Sequence, residues 1–412
     1  MKETRIALAR LGKIDPGSLT DYIRTAGYRA LRKALAMDPE QLTQQLEQAG
    51  LRGRGGAGFS AGQKSRYSRL TCDTCPEKYV VCNADEGEPG TFKDRVIMEN
   101  DPHLVLEGIL IAAYIIGASS AYIYIRGEYT EAINRIAIAL QQALKEGFMG
   151  DQILGSTFSC TVEIRLGAGS YLCGEELTLL ESLEGKRGYP RIKPPYPAEK
   201  GLFGKPTLIN NVETLAHYPA IVLKGAAWYR ALGAEKSPGT KIFTVSGKVK
   251  YPGFFEVETG LTVRDLIEGF CGGMLDDKPF KAALLGGAAG TFIDKSMLDM
   301  RLGYDLLREQ GLTLGSGAVV VLDEHDSVFG MLDNILHFFS HESCGKCVPC
   351  RIGTKQLLLL MDEIRQSGNP EKVKELVAET EYMALSSLCP LGQSPVLPVR
   401  SAARFFNLAS CE

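Results

Sequence analysis

Lys78-Tyr79-Val80-Val81-Cys82-Asn83-Ala84-Asp85-Glu86-Gly87-Glu88-Pro89-Gly90 reads as a short apolar strand running into an acidic, glycine-bearing turn. The chain after it alternates. Asp101 to Gly117 is a buried helix with an Asp-Pro start, and Ala121 to Arg126 is a second strand. Tyr129 to Gly147 is an amphipathic helix with Ile133, Ile136, Ala137 and Leu140 on one face. Thr161 to Leu166 is a third strand, followed by a helix over Gly174 to Leu183. Strand and helix in strict alternation predict an α/β fold, a Rossmann-like parallel sheet covered by helices.

Upstream, residues 1–50 read as helical. Asp38-Pro39-Glu40 has the form of an N-cap with proline at the first helical position, and Gly50 is placed to end that helix. A loop extreme in glycine follows, Leu51-Arg52-Gly53-Arg54-Gly55-Gly56-Ala57-Gly58-Phe59-Ser60. Downstream, the proline-rich Tyr189 to Pro197 breaks the alternation and must be an ordered or clamped loop. Near Ser237-Pro238-Gly239 the pattern becomes short strands, Thr240 to Val249, Gly253 to Glu258 and Ala318 to Leu322, with one helix over Val263 to Phe270. From Val328 onward everything reads as helix. The expected division is 1–50, 51–236, 237–325 and 326–412: a helical segment, the α/β domain, a small α+β domain and a helical bundle.

The 46 Lys and Arg against 49 Asp and Glu give a net charge of -3, which supplies no electrostatic footprint for nucleic acid. The longest apolar run, around Leu104 to Ala118, contains Glu107 and is too short to span a bilayer. Met1 to Gly12 has no signal-peptide core. A soluble, cytoplasmic chain is expected. Eleven cysteines without an export signal favour metal ligation or inert buried thiols over a disulfide framework.

Cys344-Gly345-Lys346-Cys347-Val348-Pro349-Cys350 presents three thiols at three-residue spacing, and Cys389-Pro390 supplies a fourth. Zinc modules use paired arms or Cys/His mixtures. Three cysteines in one tight loop with a remote Cys-Pro match cubane ligation, so Cys344, Cys347, Cys350 and Cys389 are read as ligands of a [4Fe–4S] cluster. Zinc and unrelated buried thiols are the competing readings. The loop Gly53-x-Gly55-x-x-Gly58 is a weak dinucleotide match, because it follows a helix instead of a strand. Its bare amides, with Arg52, Arg54 and Lys64, read as a phosphate-binding nest with cationic help; a plain flexible turn is the alternative. The acidic turn after the first strand, and Gly174-Glu175-Glu176 after a later one, sit where open parallel sheets gather ligands. Such carboxylates accept hydrogen bonds from hydroxyl and ring N–H groups; a solvated charged turn is the rival reading.

These runs together, with Asn210-Asn211-Val212-Glu213-Thr214 and His341-Glu342-Ser343-Cys344, resemble the NADH-binding flavoprotein subunit of respiratory complex I. Its soluble counterparts in NAD-dependent or electron-bifurcating hydrogenases, formate dehydrogenases and transhydrogenases share them. The resemblance runs from about residue 20 to 405. It implies FMN and NAD(H) in one cavity, a β-grasp-like (SLBB) middle domain and a bundle holding one [4Fe–4S] cluster. By the same resemblance Gly55, Gly56, Gly58 and Lys64 hold the FMN phosphate. Asn83, Asp85, Glu86, Gly174, Glu175, Asn210, Asn211 and Thr214 line its ribityl chain and ring. Phe59 and Tyr67 sandwich the adenine, with Lys193 and Tyr196 nearby, and Glu88 and Glu176 sit by the NADH ribose and nicotinamide. Tyr67 and Tyr196 stand where many relatives have phenylalanine, which preserves stacking.

The implied function is a diaphorase-type oxidoreductase subunit that passes hydride between NAD(H) and FMN and single electrons between FMN and the cluster. Lys346 and Cys389-Pro-Leu-Gly-Gln-Ser-Pro395 look more like the soluble hydrogenase or formate dehydrogenase branch than like complex I, which stays as the alternative. A non-catalytic nucleotide-sensing scaffold with a structural zinc is the rival from another class. Neither a thioredoxin-like [2Fe–2S] domain nor a ferredoxin domain fits in 412 residues, so further iron–sulfur subunits, a thioredoxin-like [2Fe–2S] protein among them, are the expected partners. Cys72, Cys75, Cys82, Cys160, Cys173, Cys271 and Cys411 are read as incidental thiols.

Overall fold

The computed structural model describes residues 1–71 and 77–411. Strands β1 (Tyr79–Ala84), β2 (Ser120–Arg126), β3 (Thr161–Gly167) and β4 (Thr207–Asn211) form a sheet in the order β3-β2-β1-β4. All three pairings are parallel. Side chains of β1 alternate as a strand covered on both faces requires. Val80, Cys82 and Ala84 enter one core, beneath the helices Pro102–Ile116 and Val212–Lys224. Tyr79 and Val81 enter another, with Leu177, Leu179 and Leu180 of the helix Glu176–Leu183.

Strand β4 and its helix were not foreseen. Only Leu208 and Ile209 mark the strand as apolar, too short a run to separate it from the proline-rich loop before it. It pairs with the opposite edge of β1 from β2, so chain direction along the sheet reverses at the β1–β4 gap. Open parallel sheets bind ligands outside the carboxyl ends of strands at that switch point.

The N-terminal expectation holds in part. Helices occupy Leu19–Arg24, Arg29–Leu35 and Pro39–Ala49, the last capped by Asp38 and ended by Gly50 at φ 69°. Residues 6–13 instead form turns, because the buried Glu256 carboxylate accepts the amides of Ala7 and Leu8 at 3.0 and 2.8 Å. Glu256 belongs to a second sheet of β5 (Thr240–Gly247), β6 (Gly253–Glu258), β7 (Phe280–Leu285), β8 (Thr291–Asp294) and β9 (Ala318–Asp323). Its order is β8-β7-β9-β5-β6, with β9 and β5 parallel. The helix expected over Val263 to Phe270 is a π-helix, Asp265–Phe270.

Helices Val328–Glu342, Val348–Ser367, Pro370–Ser386 and Val396–Phe405 make the C-terminal bundle. Gly368 at φ 60° and Pro370 turn the second of these back on the third. The bundle shares a core with β7 and β8 through Ala282, Leu284 and Phe292. Among the described residues no helix is long and apolar enough to cross a membrane.

Candidate functional site

The glycine loop closes on itself before the helix Ala61–Leu70 begins. Gly53 N donates to Phe59 O at 2.7 Å, and Ala61 N to Leu51 O at 2.9 Å. Ser60 caps the helix by accepting from Gln63 N. Gly58 demands glycine, with φ +65° and a Cβ that would stand 2.6 Å from the Tyr304 ring, and Gly56 has φ +132°; a Cβ on Gly55 would press on Asn211 at 3.1 Å. The bare backbone of the loop therefore lies against the carboxyl end of β4.

Of the three cations expected to help this loop, Arg52 pairs with Asp305 and also reaches Gly58 O at 3.5 Å, whereas Arg54 does not face the loop. Arg54 is fully buried, and its Nη2 donates to Tyr229 Oη and Pro238 O, both at 3.1 Å. The cause is backbone direction: Arg54 N donates to Thr214 Oγ1 at 2.8 Å, which turns the side chain inward. Thr214 thus holds the loop. Beneath it lies a buried ionic cluster. Glu213 takes Lys241 at 2.7 Å and Lys93 at 3.1 Å, and Lys93 also reaches Asp94 at 2.8 Å. Burial would raise the Glu213 pKa, but Lys241, Lys93 and Arg54 outweigh it and hold the carboxyl at about 2. Burial brings Lys241 down to about 8 and His217 to about 3, so His217 is neutral. Nothing in the residue types announced this cluster, although a lysine inside the apolar run of β5 was a signal.

At the switch point, Asn83 of β1 pairs in register with Asn211 of β4. Asn83 Nδ2 donates to Gly174 O at 2.8 Å, which brings the turn Tyr171–Gly174 to the end of β1. Asp85 sits here with a buried Oδ2 that has no hydrogen-bond partner, and burial pushes its pKa up to about 7. An orphaned carboxylate oxygen beside Gly174 is an acceptor waiting for a donor.

The other expected residues are already engaged. Glu86 accepts the amides of Asp94 and Arg95 at 2.9 and 3.1 Å and so caps the helix Lys93–Asn100. Asn211 Nδ2 donates to Asp94 at 2.6 Å and Asn210 Nδ2 to Tyr218 Oη at 3.1 Å. Glu88 accepts from Tyr171 Oη at 2.6 Å and from Ala289 N at 2.9 Å. Burial raises the Glu88 pKa against those donors. Tyr171, which sequence reasoning did not single out, also donates its amide to Glu342 at 2.9 Å, and so joins the sheet loop to the bundle.

Lys64, Glu176, Lys193 and Glu175 form one chain of ion pairs. Glu176 meets Lys64 at 2.9 Å and Lys193 at 2.8 Å, and Lys193 reaches Glu175 at 2.9 Å. Burial pushes the Glu176 pKa up, but the two ammonium groups prevail and hold it at about 2. Glu175 also caps the helix Glu176–Leu183 through the amides of Leu177 and Thr178. The proline-rich loop is clamped as expected, through Lys193 and through Arg191 on Glu181 and Glu184. Phe59, Tyr67 and Tyr196 each leave more than half of their surface exposed, apolar faces open to a planar ligand. Tyr67 lies on the helix Ala61–Leu70, against which the helix begun by Tyr196, Pro197–Lys200, packs.

Cys344 and Cys347 lie between two bundle helices, Cys350 in the first turn of the second, and Cys389 just before the short helix Pro390–Gln393. All four belong to one packed core, Cys350 and Cys389 buried within it and Cys344 and Cys347 packed against it. Gly392 permits this, since a Cβ there would stand 2.9 Å from the Cys350 Cβ. Among the described residues no three His, Cys, Asp or Glu side chains are close enough to hold one metal ion between them. A set of four thiols suits a multi-iron group, in which each thiolate binds its own iron. Cys82, Cys160, Cys173 and Cys271 are buried without disulfides, whereas Cys72 and Cys75 lie outside the described residues.

Residues 46–220 match the Nuo51 FMN-binding domain, 242–288 the SLBB domain and 330–409 the NADH-ubiquinone oxidoreductase-F iron-sulfur binding region. The chain is 45% identical to the F 2 subunit of the NADH-quinone oxidoreductase of Rhizobium meliloti (strain 1021), over 94% of this chain and 92% of that one. It is 42% identical to the HndC subunit of the NADP-reducing hydrogenase of Solidesulfovibrio fructosivorans, over 98% and 82%. A solved NAD+-reducing [NiFe]-hydrogenase in the H2-reduced state superposes with a TM-score of 0.84 at 36% identity, covering 99% of this chain and 66% of that one. The chain belongs to the family of NADH-oxidising flavoprotein subunits of multisubunit redox complexes that includes the F subunits of NADH-quinone oxidoreductases.

Proposed function

We propose that this chain is the diaphorase subunit of a soluble, cytoplasmic redox complex of the hydrogenase type, with residues 51–236 holding FMN and NADH, 237–325 bracing them and 326–412 holding the cluster. FMN held there would supply hydride exchange with NADH and single-electron transfer to a [4Fe–4S] cluster. The chain supplies the geometry. Amides of Gly55, Gly56 and Gly58 cradle the phosphate, and Asp85 Oδ2 accepts a hydrogen bond from the flavin or its ribityl chain. Phe59 and Tyr67 sandwich the adenine with Lys193 and Tyr196 nearby, and Cys344, Cys347, Cys350 and Cys389 ligate the iron. Glu88 and Glu176 face the nucleotide.

The observation that carries this reading is the position of Tyr171. Its hydroxyl donates to Glu88 at 2.6 Å and its amide to Glu342 at 2.9 Å, at the end of the bundle helix that leads into Cys344. One residue thus joins a nucleotide-side carboxylate to the helix before the cysteine loop. The complex is completed by further iron–sulfur subunits, a thioredoxin-like [2Fe–2S] protein among them. Cys389→Ser tests the order of the path. It should distort or lose the cluster, because oxygen is a poorer ligand for this iron than thiolate. FMN should stay bound and still bleach with NADH. Loss of FMN together with the iron would overturn the in-series reading.

A further inference from the structure

Lys346 stands between two of the cluster cysteines in sequence, yet its ammonium is held by a different part of the molecule. Its Nζ donates to Pro190 O at 2.8 Å and lies 5.6 Å from the centre of the Tyr189 ring. Arg187 lies 4.8 Å from the same ring. Pro190 opens the loop that carries Lys193 and Tyr196, and Lys193 is bound to Glu175 and Glu176. The loop is therefore fastened at both ends of one short span: Lys193 ties it to the nucleotide-side glutamates, and Lys346 ties it to the cysteine loop. Arg351 Nη1 holds that cysteine loop in turn, donating to Gly345 O at 2.6 Å.

We propose that Lys346 is a positioning residue that couples nucleotide binding to the reduction potential of the cluster. The inference rests on the assignment of the nucleotide to Lys193 and Tyr196 and of the cluster to the four cysteines. A nucleotide that recruits Lys193 and Glu176 changes the hold on one end of the span, and Pro190 lies three residues away. The other end is a cation carried by the loop of Cys344 and Cys347, and charge near an iron–sulfur cluster sets its potential. Coupling of this kind is reciprocal, so a change in cluster charge alters nucleotide affinity by the same factor. Because Lys346 is exposed, the factor belongs at the low end, about fivefold.

The test is an EPR-monitored redox titration of the purified complex with and without saturating ADP-ribose, a nucleotide fragment that cannot take a hydride. In the unaltered protein ADP-ribose should shift the cluster's midpoint potential. Lys346→Met should make that potential more negative, abolish the shift and raise the Kd for ADP-ribose about fivefold, while Lys346→Arg, which still donates to a carbonyl, should keep both. Should Lys346→Met lose iron, Lys346→Gln reads the same quantities. An unaltered protein whose potential ignores bound ADP-ribose, or a Lys346→Met protein that keeps the shift, overturns the coupling. Failure of the unaltered protein to bind ADP-ribose, or to show a cluster at all, overturns the underlying assignment instead.

Discussion

Lys64 Nζ stands 2.9 Å from Glu176 Oε2, so the lysine expected at a phosphate is held by a carboxylate expected beside the NADH ribose. The pair makes the two halves of the pocket electrostatically dependent. A phosphate that draws Lys64 away leaves Glu176 with Lys193 alone.

Lys64→Ala should weaken FMN by one charge-assisted contact, roughly 1.5–3 kcal/mol or about ten- to a hundredfold, with iron content unchanged. Flavin retention on dilution, read by fluorescence, measures it. Iron lost in parallel with flavin would contradict the assignment.

Glu176 titrates at about 2 and is therefore ionised throughout the physiological range. A 2′-phosphate brought against it meets like charge, which predicts NADH over NADPH. Glu176→Gln leaves Lys64 and Lys193 without their shared anion, so the ratio of kcat/KM for NADH to that for NADPH should fall. An unchanged ratio would place Glu176 away from the adenosine ribose.

Asp85 carries a pH signature. Burial raises its pKa from 3.8 to about 7, so between those values the folded chain keeps a proton that the unfolded chain releases. Its contribution to the stability of the flavin-free chain is full below about pH 4 and is lost as pH rises towards 7. Glu86, raised by burial from 4.5 to about 7, acts in the same direction. Asp85→Asn should flatten part of this slope in denaturant unfolding while weakening FMN. A slope identical to that of the unaltered chain would mean that the carboxyl is solvated.

Arg54→Met removes a buried guanidinium whose Nη2 donates to Tyr229 Oη and Pro238 O below the glycine loop. Losing hydrogen bonds made by a charged group costs roughly 1.5–3 kcal/mol, which denaturant unfolding would show as a lower midpoint at unchanged slope. A loss under about 1 kcal/mol, the range of an exposed pair, would contradict the burial.

Much of this was legible because the chemistry repeats in the residue order. Val80, Val81 and Cys82 with their glycine-bearing turn, and the spacing of Cys344, Cys347 and Cys350, each state a period or a ligand set without help from the rest of the chain. What was not legible depends on tertiary partners. Strand β4 is a strand because β1 offers it an edge, and Ala7 and Leu8 are not helical because Glu256 claims their amides. Arg54 and Glu86 have residue types suited to ligands, but the backbone turns one inward and lays the other on a helix end.

The central claim is that electrons pass in series from NADH through FMN to the four-cysteine cluster. Rapid-freeze EPR of the purified complex after an anaerobic pulse of NADH tests it most directly. The account predicts that the flavin bleaches first and that the signal of a reduced [4Fe–4S] cluster then grows, and that Cys389→Ser removes the signal without stopping the bleach. A protein that binds NADH with no flavin to bleach, or whose cluster signal appears unchanged in Cys389→Ser, would contradict it.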